Sequence, residues 1–290
     1  MLFQIIKVVF FPLFRHSGRV EAYNSRYSML HKTLISLFVL VICGSSLFAQ
    51  SKYDFPQFGN ETWSFIKQPA KWEGSDWLKL GMAGAGTFLL MQTADQPVRE
   101  AVLKDQQYYK SVPIEFGRVW GELYTPFVLF GGFAIHSLLA KDMGTRKIAY
   151  EIGQASLYAG GITYLLKMAI GRARPYVNEG PSSFYPFGAF FYKTDYQSFP
   201  GGHTTAGMVL STVLSRNAKA DWLKGLAYVP VALTFVSRIY QDQHWTSDDF
   251  FGAVLGYFVA TWVVETHVKK DEQIQSFSST PLVNVGFAFN

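Results

Sequence analysis

A chain of 290 residues with 49% hydrophobic, 17% aromatic and only 16% charged residues buries a sizeable core, read as one domain behind a leader. The charged share is low for a soluble enzyme, while a mean hydropathy of +0.10 is mild for a membrane protein. The formal net charge is +5, but four of those charges fall in the first 49 residues, so the remainder carries no basic stripe and nucleic-acid binding is set aside.

From the N-terminus, Met29-Leu-His31-Lys32 is a short basic segment and Thr33 to Cys43 is an apolar run of eleven residues. Gly44 to Gln50 then offers a cleavage region, although Leu47 is large for its place before a cut after Ala49. This is the layout of a secretory signal peptide, too short for a span; an uncleaved anchor is the alternative. Residues 1–50 are read as the leader, with Met29 as the true start and the mature chain beginning near Gln50 or Ser51. Cys43 is the only cysteine, so the mature chain is expected to have no disulfide and no thiol chemistry. Nothing has the Cys/His spacing of a zinc site.

A polar, aromatic-rich lead-in, residues 51–75, is expected to be extended or loosely helical. Six helical runs follow, at about 76–94, 118–140, 147–172, 204–216, 221–239 and 248–267, with breakers at Asp95-Gln-Pro97, Gly144, Pro175, Gly180 to Gly202 and Asn217. No segment sustains the alternation of a strand. The expected architecture is an all-α helical bundle of about six helices spanning 76–268, with a tail at 269–290. Gly81, Gly84, Gly86, Gly131-Gly132 and Gly160-Gly161 suit close helix packing, in lipid or in a soluble bundle alike. The basic loops Lys141 to Lys147 and Arg216 to Lys224, with Lys269-Lys270, would face the cytoplasm if the helices cross a membrane. Counting crossings from a cleaved leader, however, places Lys167 inside, so topology stays open.

Three phrases carry the chemistry: Lys167-Met-Ala-Ile-Gly-Arg-Ala-Arg174-Pro175, Pro200-Gly201-Gly202-His203, and Ser237-Arg238-x5-His244-x3-Asp248. Arg172 aside, they hold three permanent cations, two imidazoles and a carboxylate, an inventory suited to gripping a tetrahedral phosphate. Lys167 and Arg174 are seven apart and are expected on one helix face, with Pro175 stopping the helix. Gly201 and Gly202, ahead of an apolar helix, offer backbone N–H groups to an anion. Arg172 lies off that face and is read as structural, as are His136, Asp195 and Asp242. Asp249 adjoins Asp248 and competes with it by adjacency.

The three phrases in this order resemble the pattern K-x6-R-P, P-S-G-H, S-R-x5-H-x3-D of the type 2 phosphatidic acid phosphatase (PAP2) and vanadium haloperoxidase superfamily. The resemblance runs from Lys167 to Asp248 and implies a PAP2/haloperoxidase-like helical bundle. It implies that Lys167, Arg174 and Arg238 clamp phosphate oxygens, with Gly201 and Gly202 completing the cradle. His244 is then the nucleophile that forms a phosphohistidine, His203 the general acid, and Asp248 the carboxylate orienting His244; the family spacing selects Asp248 over Asp249. Gly201 departs from the pattern: the family serine and its hydroxyl are missing, and Gly201→Ser is expected to raise or preserve activity. The implied enzyme is a phosphoric ester hydrolase with no metal and no cofactor, acting on a phosphate monoester or diphosphate. Apolar helices around a polar site favour a lipid-linked substrate such as phosphatidate, phosphatidylglycerophosphate, a polyprenyl diphosphate or lipid A. Its expected place is the bacterial cell envelope, at the inner membrane or in the periplasm, with the site facing the periplasm; oligomeric state is left open. The alternatives are a soluble periplasmic acid phosphatase on small esters, a vanadate-dependent haloperoxidase, and a membrane protein that has lost catalysis.

Overall fold

Helices supply every regular element, apart from one isolated antiparallel bridge between Arg172 and Phe184, among residues 52–188 and 193–279, which are those this computed structural model describes. The signal-peptide reading lies outside the described residues, as do residues 280–290.

The lead-in is more ordered than its composition suggests. Asp54 accepts from the Gln57 amide at 2.9 Å and Pro56 sits in the first turn, starting helix α1, Phe55–Ile66. Helix α2 spans Gly74–Thr93, and α3, Asp95–Lys104, starts where only a breaker was expected. The run expected over 118–140 is two helices, α4, Val112–Trp120, and α5, Tyr124–Ala140, bent by 71°. The break holds Glu122, the one acid in that apolar run, which pairs with Arg118 at 2.9 Å. Helix α6, Met143–Ile170, is capped by Asp142, which accepts from the amides of Gly144 and Thr145. Then come α7, Gly202–Asn217, α8, Asp221–Leu226, α9, Val229–Tyr240, and α10, Thr246–Ser279. Pro230 in the first turn of α9 separates it from α8, where one run had been expected. Helix α10 continues well past the expected end near 267.

The core lies between α6, α7 and α10. Ile152, Ala155 and Ala159 of α6 meet Val209, Leu210 and Val213 of α7 and Val259, Ala260 and Val263 of α10, all buried. Their spacings of three and four residues give each helix one apolar stripe, and each fully buried Val, Leu or Ile side chain contributes about 1.5–3 kcal/mol. The glycines expected at close helix contacts are otherwise placed. Of those seven, only Gly86 would bring a side chain against a neighbour, the ring of Phe250. Much apolar surface faces outward, including Leu78, Phe88 and Leu89 of α2 and Ile135, Leu138 and Leu139 of α5. Among the described residues, one helix segment, Thr246–Asp271, is long and apolar enough to cross a membrane, or two if the bent α4–α5 pair counts as one.

Candidate active site

The functional side chains converge where the end of α6, the start of α7, the end of α9 and the start of α10 meet. The first phrase does not fold as expected. Helix α6 stops at Ile170 because Gly171 takes a left-handed conformation, φ +61°, and donates its N–H to the Lys167 carbonyl at 3.1 Å. A Cβ at 171 would overlap the Tyr185 carbonyl oxygen, so close approach of the two chains requires glycine there. Lys167 is therefore on the last helical turn, while Arg174 lies beyond it on extended chain and reaches the site from a loop. Pro175 opens a short 3₁₀ turn and does not end the helix.

Lys167 Nζ donates to the carbonyls of Gln197 and Ser198, at 2.5 and 3.3 Å. Arg174 donates to the carbonyls of Thr194 and Gln243 and to the Gln243 side chain. Buried Arg238 donates to Gln241 at 2.9 Å and leaves its Nε without a partner among the described residues. These cations are thus held mostly by neutral oxygens. Burial, then the Arg174 charge, lowers the Lys167 ammonium to about 7; burial lowers Arg238 to about 10. His203 is lowered to about 4, by burial first, with the charges of Arg238 and Arg174 adding to it against the opposing pull of Glu122. His244 is held well below the ordinary imidazole range by burial, then by Arg174, Lys167 and Arg238. Neighbouring cations thus oppose one another's charge in this cleft.

The ring centroids of His203 and His244 are 6.3 Å apart. His203 Nε2 lies 3.6 Å from Glu122 Oε2, a neighbour missed from the sequence whose signal was a lone acid in an apolar run. Asp248 Oδ2 is 3.9 Å from His244 Nδ1, too far for a hydrogen bond, and that nitrogen has no partner among the described residues. The Asp248 carboxylate instead accepts from Ser198 Oγ at 2.5 Å, the Trp245 amide at 3.0 Å and Arg172 Nη1 at 2.5 Å.

Arg172, read as structural and off the functional face, is a buried hub behind the site. Its guanidinium, 1% exposed, also donates to Asp95 at 2.7 Å and to Ser247, and packs over the Trp245 ring. The sequence placed Arg172 correctly outside the cation cluster and missed its pairing, since Asp95 is 77 residues away.

At the start of α7 the Gly201 N–H is already used, donating to the Asp248 carbonyl at 2.9 Å. It is not free for an anion; the amides of Gly202 and His203, first in the helix, have no intrahelical acceptor. A Cβ at 201 would overlap Asp249 Oδ1 and lie only 3.0 Å from the Asp249 Cα. The expectation that serine fits here is therefore corrected: the Asp249 side chain occupies that space. Among the described residues no group of three or more His, Cys, Asp or Glu could hold a metal ion.

Among the described residues the fold is all-helical, and its cleft gathers two histidines and three cationic side chains. Residues 151–272, which contain all three phrases, match the PAP2 superfamily model, so the resemblance read from the sequence is borne out over that segment. Over 122 residues, 41% of this chain, it is 27% identical to a lipid A 1-phosphatase of Porphyromonas gingivalis; the match spans only 23% of that relative's length. A solved structure described as a transmembrane PAP2 type phosphatidylglycerolphosphate phosphatase from Bacillus subtilis is 19% identical, with a TM-score of 0.47, covering 67% of this chain and 94% of that one.

Proposed function

We propose that this chain is a phosphatase that hydrolyses a lipid-linked phosphate monoester or diphosphate, releasing inorganic phosphate through a phosphohistidine on His244. The observation that carries the reading is the convergence of Lys167, Arg174, Arg238, His203 and His244 on one spot, where burial and mutual repulsion disfavour their protonated forms. A phosphate dianion relieves that repulsion, and fixed cations stabilise the charge that develops on its equatorial oxygens.

Neutral His244 is the competent nucleophile, and its depressed basicity keeps it neutral at pH 7. Its Nε2 lone pair attacks phosphorus while the bond to the leaving oxygen breaks. His203, whose charge the incoming phosphate favours, gives its proton to that oxygen. Water then attacks the phosphohistidine and passes a proton to His203, releasing inorganic phosphate and restoring both histidines. Asp248 is assigned to orient His244; closing the 3.9 Å separation requires a small turn of the ring on substrate binding.

The outward apolar face of α2 and α5 supports a protein seated in the membrane, and hence a lipid-linked ester over a small soluble one. The Porphyromonas relative, named for lipid A, favours the same class. We assign the site to the periplasmic side. The deciding experiment is phosphate release by the purified chain from lipid A 1-phosphate and phosphatidate beside a small aryl phosphate. Preference for a lipid substrate is expected; turnover of the aryl ester alone would shift the reading to a small-ester phosphatase, and turnover of none would overturn it.

A further inference from the structure

Asp249 belongs to neither the ion-pair hub nor the five groups assigned above, yet it stands inside the cleft. Its Oδ1 fills the volume that a side chain on Gly201 would need and accepts from Thr204 Oγ1 at 2.7 Å. That hydrogen bond ties the carboxyl to the first turn of α7, one residue after His203. Its Oδ2 has no hydrogen-bond partner among the described residues, although the residue is fully buried. The adjoining Gly202 borders Lys167, whose Cε lies 3.4 Å from where a Cβ on that glycine would be. The charge of Asp248 acts on Asp249, and those of Arg238 and Lys167 act on it in the opposite sense.

Its immediate neighbour, Asp248, has both oxygens satisfied by Arg172, Ser198 and the Trp245 amide. Asp249 receives one donor and keeps one oxygen bare. A buried ionised carboxylate so placed is costly, whereas the neutral acid has only an O–H seeking an acceptor. A neutral carboxylic acid in a dry site is an effective donor to an oxyanion. The acceptor that the cleft is arranged to receive is a phosphate oxygen.

We propose that Asp249 is a ligand of the bound phosphate, donating from protonated Oδ2 across Gly201 and supplying the side-chain donor that a glycine at 201 cannot. This rests on the phosphate-site reading of the cleft. Gly201 and Asp249 then form one unit: glycine at 201 makes room for the acid, and the acid replaces the missing hydroxyl.

The test is orthovanadate binding by calorimetry and aryl phosphate hydrolysis on the purified full chain, with circular dichroism to verify folding. Asp249→Asn keeps an acceptor for Thr204 and an N–H donor at the Oδ2 position, and should retain at least about tenfold more turnover and vanadate affinity than Asp249→Ala. Asp249→Ala should lose on the order of 10²-fold in turnover, the scale of removing one oxyanion donor. Gly201→Ser alone should be similarly impaired, because the hydroxymethyl and the carboxyl compete for one space. The double variant Asp249→Ala with Gly201→Ser should recover at least about tenfold over Asp249→Ala, since a hydroxyl donor replaces the acid. Equal loss in Asp249→Asn and Asp249→Ala would overturn the inference, as would native activity in Asp249→Ala or no recovery in the double variant. If Asp249→Ala does not fold, the Asn variant and the double variant decide: both must bind vanadate within about tenfold of the native chain, and failure of either overturns the proposal. A native chain that neither binds vanadate nor hydrolyses the ester would instead refute the phosphate-site reading itself.

Discussion

Two buried polar clusters lie at different levels of the same bundle, and they handle charge in opposite ways. In the cluster joining α1, α6 and α10, Glu61 Oε1 accepts from Gln57 and Lys270, and Oε2 from Tyr150, Gln154 and His267. The His267 ring bridges Glu61 and Glu151, at 3.1 and 3.0 Å. Burial alone would raise the Glu61 carboxyl, but the hydrogen bonds from His267, Lys270 and Gln154 hold it well below the usual range. In the cleft, by contrast, Arg238 Nε, His244 Nδ1 and Asp249 Oδ2 are all without partners among the described residues. The compensated cluster anchors α1 to the bundle. The other leaves buried polar atoms unsatisfied, as the phosphate site proposed above would have them before its ligand binds.

That contrast breaks most visibly on His244. His244→Ala should lower turnover by on the order of 10⁴-fold or more and abolish any acid-labile phosphoenzyme, with the fold retained. A trapped phosphoenzyme in this variant would place the nucleophile elsewhere. His203→Ala should cost about 10²–10⁴-fold with an alkyl phosphate and much less with an aryl phosphate whose leaving group needs no proton. Equal losses with both substrates would remove His203 from the role of acid.

The compensated cluster should respond through stability instead. His267→Ala leaves Glu61 and Glu151 buried without their shared partner and should cost about 3–5 kcal/mol in denaturant unfolding, with turnover per folded molecule unchanged. A turnover defect larger than the folding defect would mean that the two clusters communicate.

A smaller effect comes from pH. Lys167, lowered to about 7, loses its charge as pH rises through that value, so KM for an aryl phosphate should climb above neutral pH by roughly 3- to 10-fold. Lys167→Arg stays charged across the range and should flatten that limb; an unchanged profile would exclude Lys167 as its source. The smallest effect expected is none at all: excess EDTA should leave turnover intact, since fixed cations supply the positive charge, while vanadate inhibits. Loss of activity on chelation, restored by a divalent ion, would overturn this account of the cleft.

Much of the site was legible because its chemistry sits in short, ordered phrases: Lys167, Arg174, His203, Arg238, His244 and Asp248 stand in the spacing that carried the PAP2 resemblance. Helix type was equally legible, since the apolar stripes of α6, α7 and α10 are local properties of composition and period. What the sequence alone could not decide depended on contacts between distant segments. A left-handed Gly171 takes Arg174 off the helix, because the chain at Tyr185 crosses there. Arg172 becomes the hub because folding brings Asp95 and Asp248 to it from opposite ends of the domain. Gly201 is glycine because Asp249, 48 positions away, already fills its space. Local spacing names the candidate groups, but which of them have their hydrogen bonds satisfied and which do not is settled only when α7 packs on α10.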